Sequence, residues 1–382
     1  MKQKKIRIGI IGVDPNRGWA SFAHIPAIRQ FTDFEITALS NPSGEKALAA
    51  AALFNIANAF DSVDELVQSP EVDLVVIAVK VPFHKQLTEK AIKAGKHVYC
   101  EWPLGNGLGE AMEMQRLADE QQIQAFVGLQ SQSVPSIGYI KDLIKDGYVG
   151  KVLSTSIVAN GGMLTTDEAN AYTLDIKNGA SMLTIPFGAS VHAICYCLGE
   201  FLSVTATTST VSEFGIVAES GRKVPVTMED QIAVTGILEA GAVASIHYRA
   251  GQAKSTNFLW EINGTEGDLV ITADGGHVAF YPLTIKGAKK NQQQLELLDV
   301  PEKYYKIPQE ALQGPAYHLA QQYSLVLADL KKGTKQAPRF ADAVIRHELL
   351  DAIQKSSATG RRQNLSAGSN VLVKRNYDTN PG

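Results

Sequence analysis

The stretch "VDLVVIAV" (72–79) constrains the fold of this chain more than any other. It is an almost unbroken aliphatic run, too short for an ordinary helix and without the alternation of a half-exposed strand. A strand buried on both faces reads this way, and such strands belong to parallel sheets covered by helices. The flanking segments agree. "IRIGIIG" (6–12) is a short apolar run ending in glycine, followed by a turn cluster and a helical pattern through residue 31. "FEITALS" (34–40), "NAF" (58–60), "HVYCEW" (97–102) and "IQAFVGLQ" (123–130) read as further strands. Between them, 45–56, 62–69, 83–95 and 108–122 read as helices, with a serine N-cap signal at Ser62 and a glycine stop at Gly95. Five or six such units predict a doubly wound parallel sheet, assigned to a domain over 1–132.

The texture changes after residue 133. "VPSIGYIKDLIKDGYVG" (134–150) predicts a linking helix ending in a glycine turn. Beyond it, "KVLSTSIVAN", "SVTATTSTVSE", "DQIAVTGILEAGAVASIHYRAG" and "FLWEINGTEGDLVITADGGHVAFYP" alternate with turns and no intervening helix. This predicts an α/β domain over 133–360 with a large, mostly antiparallel sheet. Helices are expected within 181–201, 315–332 and 340–355, and a polar tail over 361–382, with "RNYDTNPG" on the surface. The apolar alternation in "SIHYRA" and "FLWEING" marks the sheet as a candidate surface for a homodimer or higher oligomer.

Bulk properties narrow the function. A net charge of −3 over 382 residues argues against direct nucleic-acid binding through a broad basic surface. Three cysteines, Cys100, Cys195 and Cys197, form neither a CxxC pair nor a zinc spacing, so no metal is expected, and they fit a reducing cytoplasmic setting. The start "MKQKKIRIGIIG" reads as a first strand rather than a signal peptide, and no stretch of 18 apolar residues predicts a membrane span.

Open parallel sheets bind ligands beyond the carboxyl ends of their strands. The first such loop is "GVDPNRGWA" (12–20), with candidate contacts at Gly12, Val13, Asp14, Arg17, Trp19 and Ala20. It departs from G-x-G-x-x-G by placing Asp14 at the second glycine, but strand-before and helix-after is the required context, and amides at the helix start can face a pyrophosphate. After the second strand comes Ser40-Asn41-Pro42, with no carboxylate until Glu45. The missing acid and the nearby Lys46 lean towards NADP or dual use.

"IRIGIIG…HIPAI", "DLVVIAVKVPFH", "AIKAGKHVYCEWPL" and "INGTEGDL" (262–269) resemble the Gfo/Idh/MocA family, NAD(P)-dependent sugar and cyclitol dehydrogenases with an N-terminal Rossmann domain and a C-terminal α/β domain. "GWA" (18–20), "EWPL" (101–104), "LQS" (129–131), "LIKDGYVG" (143–150) and "NGG" (160–162) resemble the fungal galactose-pathway repressor branch, which binds NAD(P) but regulates transcription. The resemblance implies cofactor contacts at Gly12, Trp19, Ser40, Asn41, Pro42, Ala78, Val79, Pro82, His84, Glu101 and Gln130. It also implies where catalysis should sit. The family's Glu-Lys-Pro reads Glu101-Trp102-Pro103 here, and an indole cannot act as a base, although it can stack on a sugar or a nicotinamide ring. Against the family's D-x-G-x-H-x-x-D, this chain has Ile185, Ala189 and His192. His192 is the one group of that set able to titrate near neutrality, so it is the candidate acid/base, with Glu101 orienting the turn or meeting the nicotinamide ribose. Two functions follow: an NAD(P)-dependent oxidoreductase of a sugar or polyol, or a nucleotide-sensing regulator without turnover.

Overall fold

A computed structural model describes residues 4–251 and 254–365; "RNYDTNPG" lies outside the described residues. Six strands form the first sheet: β1 (Ile6–Ile11), β2 (Phe34–Ser40), β3 (Asn58–Phe60), β4 (Leu74–Ile77), β5 (His97–Cys100) and β6 (Ala125–Val127). Their order is β3-β2-β1-β4-β5-β6 and every pairing is parallel. All four residues of β4 are 0% exposed, as a strand covered on both faces requires. Between β1 and β2 runs a five-residue π turn, Ala20–His24, continuing into α1 (Ile25–Ile28). The other helices of this half are α2 (Gly44–Phe54), α3 (Val63–Gln68), α4 (His84–Lys93) and α5 (Leu108–Glu120). Ser43 and Ser62 cap α2 and α3 by accepting from the Lys46 and Glu65 amides, which would otherwise be orphaned.

After α6 (Pro135–Lys145) come β7 (Val152–Gly162), β8 (Thr165–Thr166), α7 (Gly188–Leu198), β9 (Phe201–Ser209), β10 (Phe214–Val217), β11 (Lys223–Pro225), β12 (Gln231–Leu238) and β13 (Val243–Ala250). Then follow β14 (Phe258–Gly264), β15 (Gly267–Ala273), β16 (Thr284–Lys289), β17 (Glu296–Leu297), α8 (Pro315–Lys332), α9 (Phe340–Thr359) and β18 (Gln363–Asn364). The large sheet runs β17-β16-β15-β14-β7-β13-β12-β9-β18, antiparallel except at β7–β13. A small sheet, β11-β10-β8, stands beside it. The alternating apolar residues of "SIHYRA" and "FLWEING" point inward: Ile246, Tyr248, Phe258, Trp260 and Ile262 are buried. The opposite face of β13 presents Val243, Ser245 and His247.

Chain order misleads at one place. α8 returns to the first sheet, where Leu319, Ala320, Tyr323 and Val326 pack in one core with Ile8, Ile10 and Tyr99. Gln322 donates to the Val127 carbonyl at 2.6 Å, and the Val127 amide donates to Pro338 at 3.0 Å, which closes the β6 edge. β18 pairs with β9 inside what reads as a polar tail. Among the described residues, no helix is long and apolar enough to cross a membrane.

Candidate functional site

The carboxyl ends of β1, β4, β5 and β6 open onto a cleft of about 1180 Å³, whose far wall comes from the second sheet and its loops. On the first wall stand Gly12, Asp14, Arg17, Trp19, Ala78, Val79, His84, Glu101, Trp102 and Gln130, all expected there. Gly12 has φ +97°, and a Cβ on it would come within 2.6 Å of Val79 and 2.7 Å of the Ala78 carbonyl. Only glycine fits, and its bare backbone leaves room for close approach of a ligand. Val13 and Ala20 turn into the core instead. Ser40 and Asn41 act through the loop: the Ser40 carbonyl accepts from the Gly12 and Val13 amides, and the Asn41 amide group donates to the Val13 carbonyl at 2.8 Å. Pro42 and Pro82, expected as cofactor contacts from the resemblance, are exposed and do not line the cleft.

Glu101 ends a row of contacts that crosses the domain order. Tyr323 of α8 lies 2.7 Å from His24 Nδ1, and His24 Nε2 lies 2.9 Å from Glu101 Oε1. The His24 Nε2 contact with Glu101 is one of proximity without hydrogen-bond alignment, whereas Nδ1 and the Tyr323 hydroxyl are hydrogen-bonded. Gln130 Nε2 donates to both carboxylate oxygens, at 3.3 and 3.2 Å. Gly128 makes room, since a Cβ there would lie 2.6 Å from Glu101 Oε2. His84 is fully buried with Nδ1 2.8 Å from the Pro103 carbonyl and Nε2 2.9 Å from the Val79 carbonyl. Burial pushes its pKa down despite those carbonyls. The ring sits between the end of β4 and the β5 turn, with each nitrogen facing a backbone carbonyl.

The two residues expected to carry chemistry are differently placed. Trp102, joined to Pro103 by a cis peptide bond, is 9% exposed. Its indole donates to the Thr184 carbonyl at 2.7 Å and its ring packs 4.7 Å from His347 of α9. It shows the cleft an edge of a packed wall. His192 is buried, with Nε2 3.0 Å from Gln132 Oε1, and is not among the residues lining the cleft. The expectation that it reaches the cleft is corrected: its position on α7 faces the Gln132 side, while Ile185, Pro186 and Ala189 of the same segment line the cleft.

Several lining residues escape sequence reasoning. Lys80 follows β4, with Nζ 4.8 Å above the Tyr172 ring from the second domain. Burial raises the Tyr172 hydroxyl to about 12, opposed by a bond to the Val81 backbone. Trp19 stacks on Phe280 at 5.5 Å, and His277 stacks on the same Phe280 ring at 3.9 Å. Burial pushes His277 down to about 4. The Trp19 indole nitrogen is buried and has no partner among the described residues. A faint signal existed: "NGG" (160–162) and "DGGH" (274–277) are glycine pairs, and they meet where the Gly276 amide donates to Asn160 at 3.0 Å. No cluster of potential metal ligands occurs among the described residues.

These features, a six-stranded parallel sheet with a fixed carboxylate at the end of β5 and a second domain closing the cleft, agree with comparisons to known proteins. The description "Oxidoreductase family, NAD-binding Rossmann fold" (GFO_IDH_MocA) matches residues 6–129, and "Gal80p, C-terminal domain" matches 135–273. The first match covers the six-stranded parallel sheet and the second the start of the large sheet. The chain is 27% identical to the galactose/lactose metabolism regulatory protein GAL80 of Saccharomyces cerevisiae, over 94% of each chain. A crystal structure of a super-repressor mutant of that protein superposes with a TM-score of 0.85 at 25% identity, covering 96% of this chain and 100% of the other. The chain is equally, 27%, identical to dehydrogenase aclE of Aspergillus oryzae, over 94% of this chain and 98% of the relative. Levoglucosan dehydrogenase in complex with NADH and levoglucosan shares the fold, with a TM-score of 0.82 at 21% identity over 95% and 100% of the two chains.

Proposed function

We propose that the chain is a nicotinamide-dinucleotide-dependent oxidoreductase of a sugar or polyol. The observation that carries this reading is the carboxylate of Glu101, held at the cleft by Gln130 with His24 Nε2 2.9 Å from it. An acceptor held so firmly at a strand end suits ribose hydroxyls, and the glycine at 12 and the unpartnered Trp19 indole suit a polar ligand lying along the same wall. The dinucleotide, when bound, accepts or supplies the hydride. The chain positions the substrate and handles its hydroxyl proton. With Trp102, Ile185, Pro186 and Ala189 unable to carry protons, Lys80 Nζ and the Tyr172 hydroxyl are the groups we assign to hold it.

The similarity to a dehydrogenase and to a levoglucosan-binding enzyme supports a polyol class of substrate. A second reading, a nucleotide-sensing regulator, is favoured by the packed Trp102 and the buried His192 and by similarity to GAL80. We also propose self-association through the exposed face of β13, and a cytoplasmic setting, which suits three buried free cysteines.

The test follows nicotinamide reduction at 340 nm across a panel of sugars and polyols, beside direct titration of NADH. Turnover that falls about 100-fold in Lys80→Met, with NADH affinity kept, supports the oxidoreductase. Firm binding with no turnover of any panel member supports the regulator. Absence of dinucleotide binding overturns both.

A further inference from the structure

We infer that Asp14 is the carboxylate that selects NAD(H) over NADP(H), standing in from the first loop for the acid missing after β2. This rests on the dinucleotide reading above. In doubly wound sheets an acid beyond the second strand meets the ribose 2'-hydroxyl, whereas a cation there accommodates a 2'-phosphate. Here the residues after β2 are Asn41 and Pro42, and the first turn of α2 brings Lys46, which taken alone points to a 2'-phosphate. The structure gives that cation a partner. Lys46 Nζ lies 2.9 Å from Asp14 Oδ2, and Arg17 Nε lies 3.9 Å from the same oxygen.

Asp14 is itself built in. Its Oδ1 accepts from the Asn16 amide at 3.0 Å, its side chain is 15% exposed, and it lines the cleft. Burial raises its pKa, but the Asn16 bond and Lys46 outweigh this and hold the group ionised, below the usual carboxylate range. Asp61 adds a second carboxylate beside Gly44, at the start of α2. A 2'-phosphate brought here meets two carboxylates and two cations already engaged by one of them. A 2'-hydroxyl meets an acceptor of fixed orientation.

The experiment titrates NADH and NADPH into the full chain, following tryptophan quenching and calorimetric heat, for wild type, Asp14→Asn and Lys46→Met. Wild type is expected to bind NADH at least about tenfold more tightly than NADPH, the order of effect of one like-charge contact. Asp14→Asn, nearly isosteric, should erase or invert that ratio by freeing Lys46 and Arg17, and Lys46→Met should leave NADPH no better bound. A wild type that prefers NADPH, or a ratio unmoved in Asp14→Asn, overturns the assignment. Binding of neither nucleotide to wild type sinks the dinucleotide reading itself and this assignment with it, an outcome distinct from an unmoved ratio.

Discussion

The two walls of the cleft have been treated differently by this sequence. The Rossmann wall is polar and tightly specified: Gly12 admits no side chain, Glu101 is held by Gln130 with His24 beside it, and His84 sits between two strand ends. On the facing side, the patch where the resemblance places an acid and a histidine is Ile185, Pro186 and Ala189, next to the packed Trp102, while the rest of that side presents polar groups such as Asn160, Asp167, Glu168 and Asp274. A polar, oriented wall is costly to keep without a ligand, because buried acceptors and donors must be satisfied one by one. An apolar patch such as Ile185, Pro186 and Ala189 is easy to keep, because packing alone stabilises it. The contrast teaches that the strand-end wall is the more tightly specified one, and that Lys80 and Tyr172, to which we assign proton handling, stand at its margin.

The largest effect should come from breaking the specified wall. Gly12→Val forces a side chain against Val79 and the Ala78 carbonyl at a positive φ, and should abolish measurable NADH binding; an affinity within tenfold of wild type would break the contrast. Next, Trp102→Ala removes a packed indole and its bond to Thr184, and should cost about 3–5 kcal/mol in denaturant unfolding. If it costs less than about 1 kcal/mol, the tryptophan is a ligand platform rather than a wall.

Acid should weaken the tertiary support of that wall. His347, behind Trp102, is pushed down to about 4 by burial, from an ordinary value near 6.5. Its folded pKa lies below the unfolded one, so the unfolded chain binds the extra proton, and stability present above 6.5 is lost as pH falls towards 4. Its share between pH 7 and 5 should be about 2 kcal/mol, and His347→Gln should flatten the pH dependence by that amount in paired urea titrations. The smallest effect is expected at His192. His192→Gln should alter NADH affinity and any turnover by less than about twofold, since the ring faces Gln132 and not the cleft. Loss of turnover there would return proton transfer to the second wall.

Much of this was legible in the linear sequence because its signals are local. The run 72–79, the serine caps and the glycine stops each depend on neighbours a few residues away, and they yield six parallel strands and a large, mostly antiparallel sheet. The strand-end rule then places Gly12, Ala78, Val79, Glu101 and Gln130 at the cleft. Other features have no local signal. Helical periodicity places His192 within reach of a wall but cannot say which one, since α7 is apolar and buried almost all round. His24 reads as one scattered histidine until Tyr323, 299 residues later, hydrogen-bonds its Nδ1 and leaves its Nε2 beside Glu101.

By itself, then, the sequence determined the strands, the sheet type and the side of the sheet on which a ligand binds, because hydrophobic periodicity and turn chemistry act over short range. Only the tertiary structure decided that α8 returns to the first sheet, that Lys46 is already paired with Asp14, and that Lys80 meets Tyr172. Those facts follow from long-range packing, in which a side chain's partner is set by which surfaces must be buried together and not by its place along the chain.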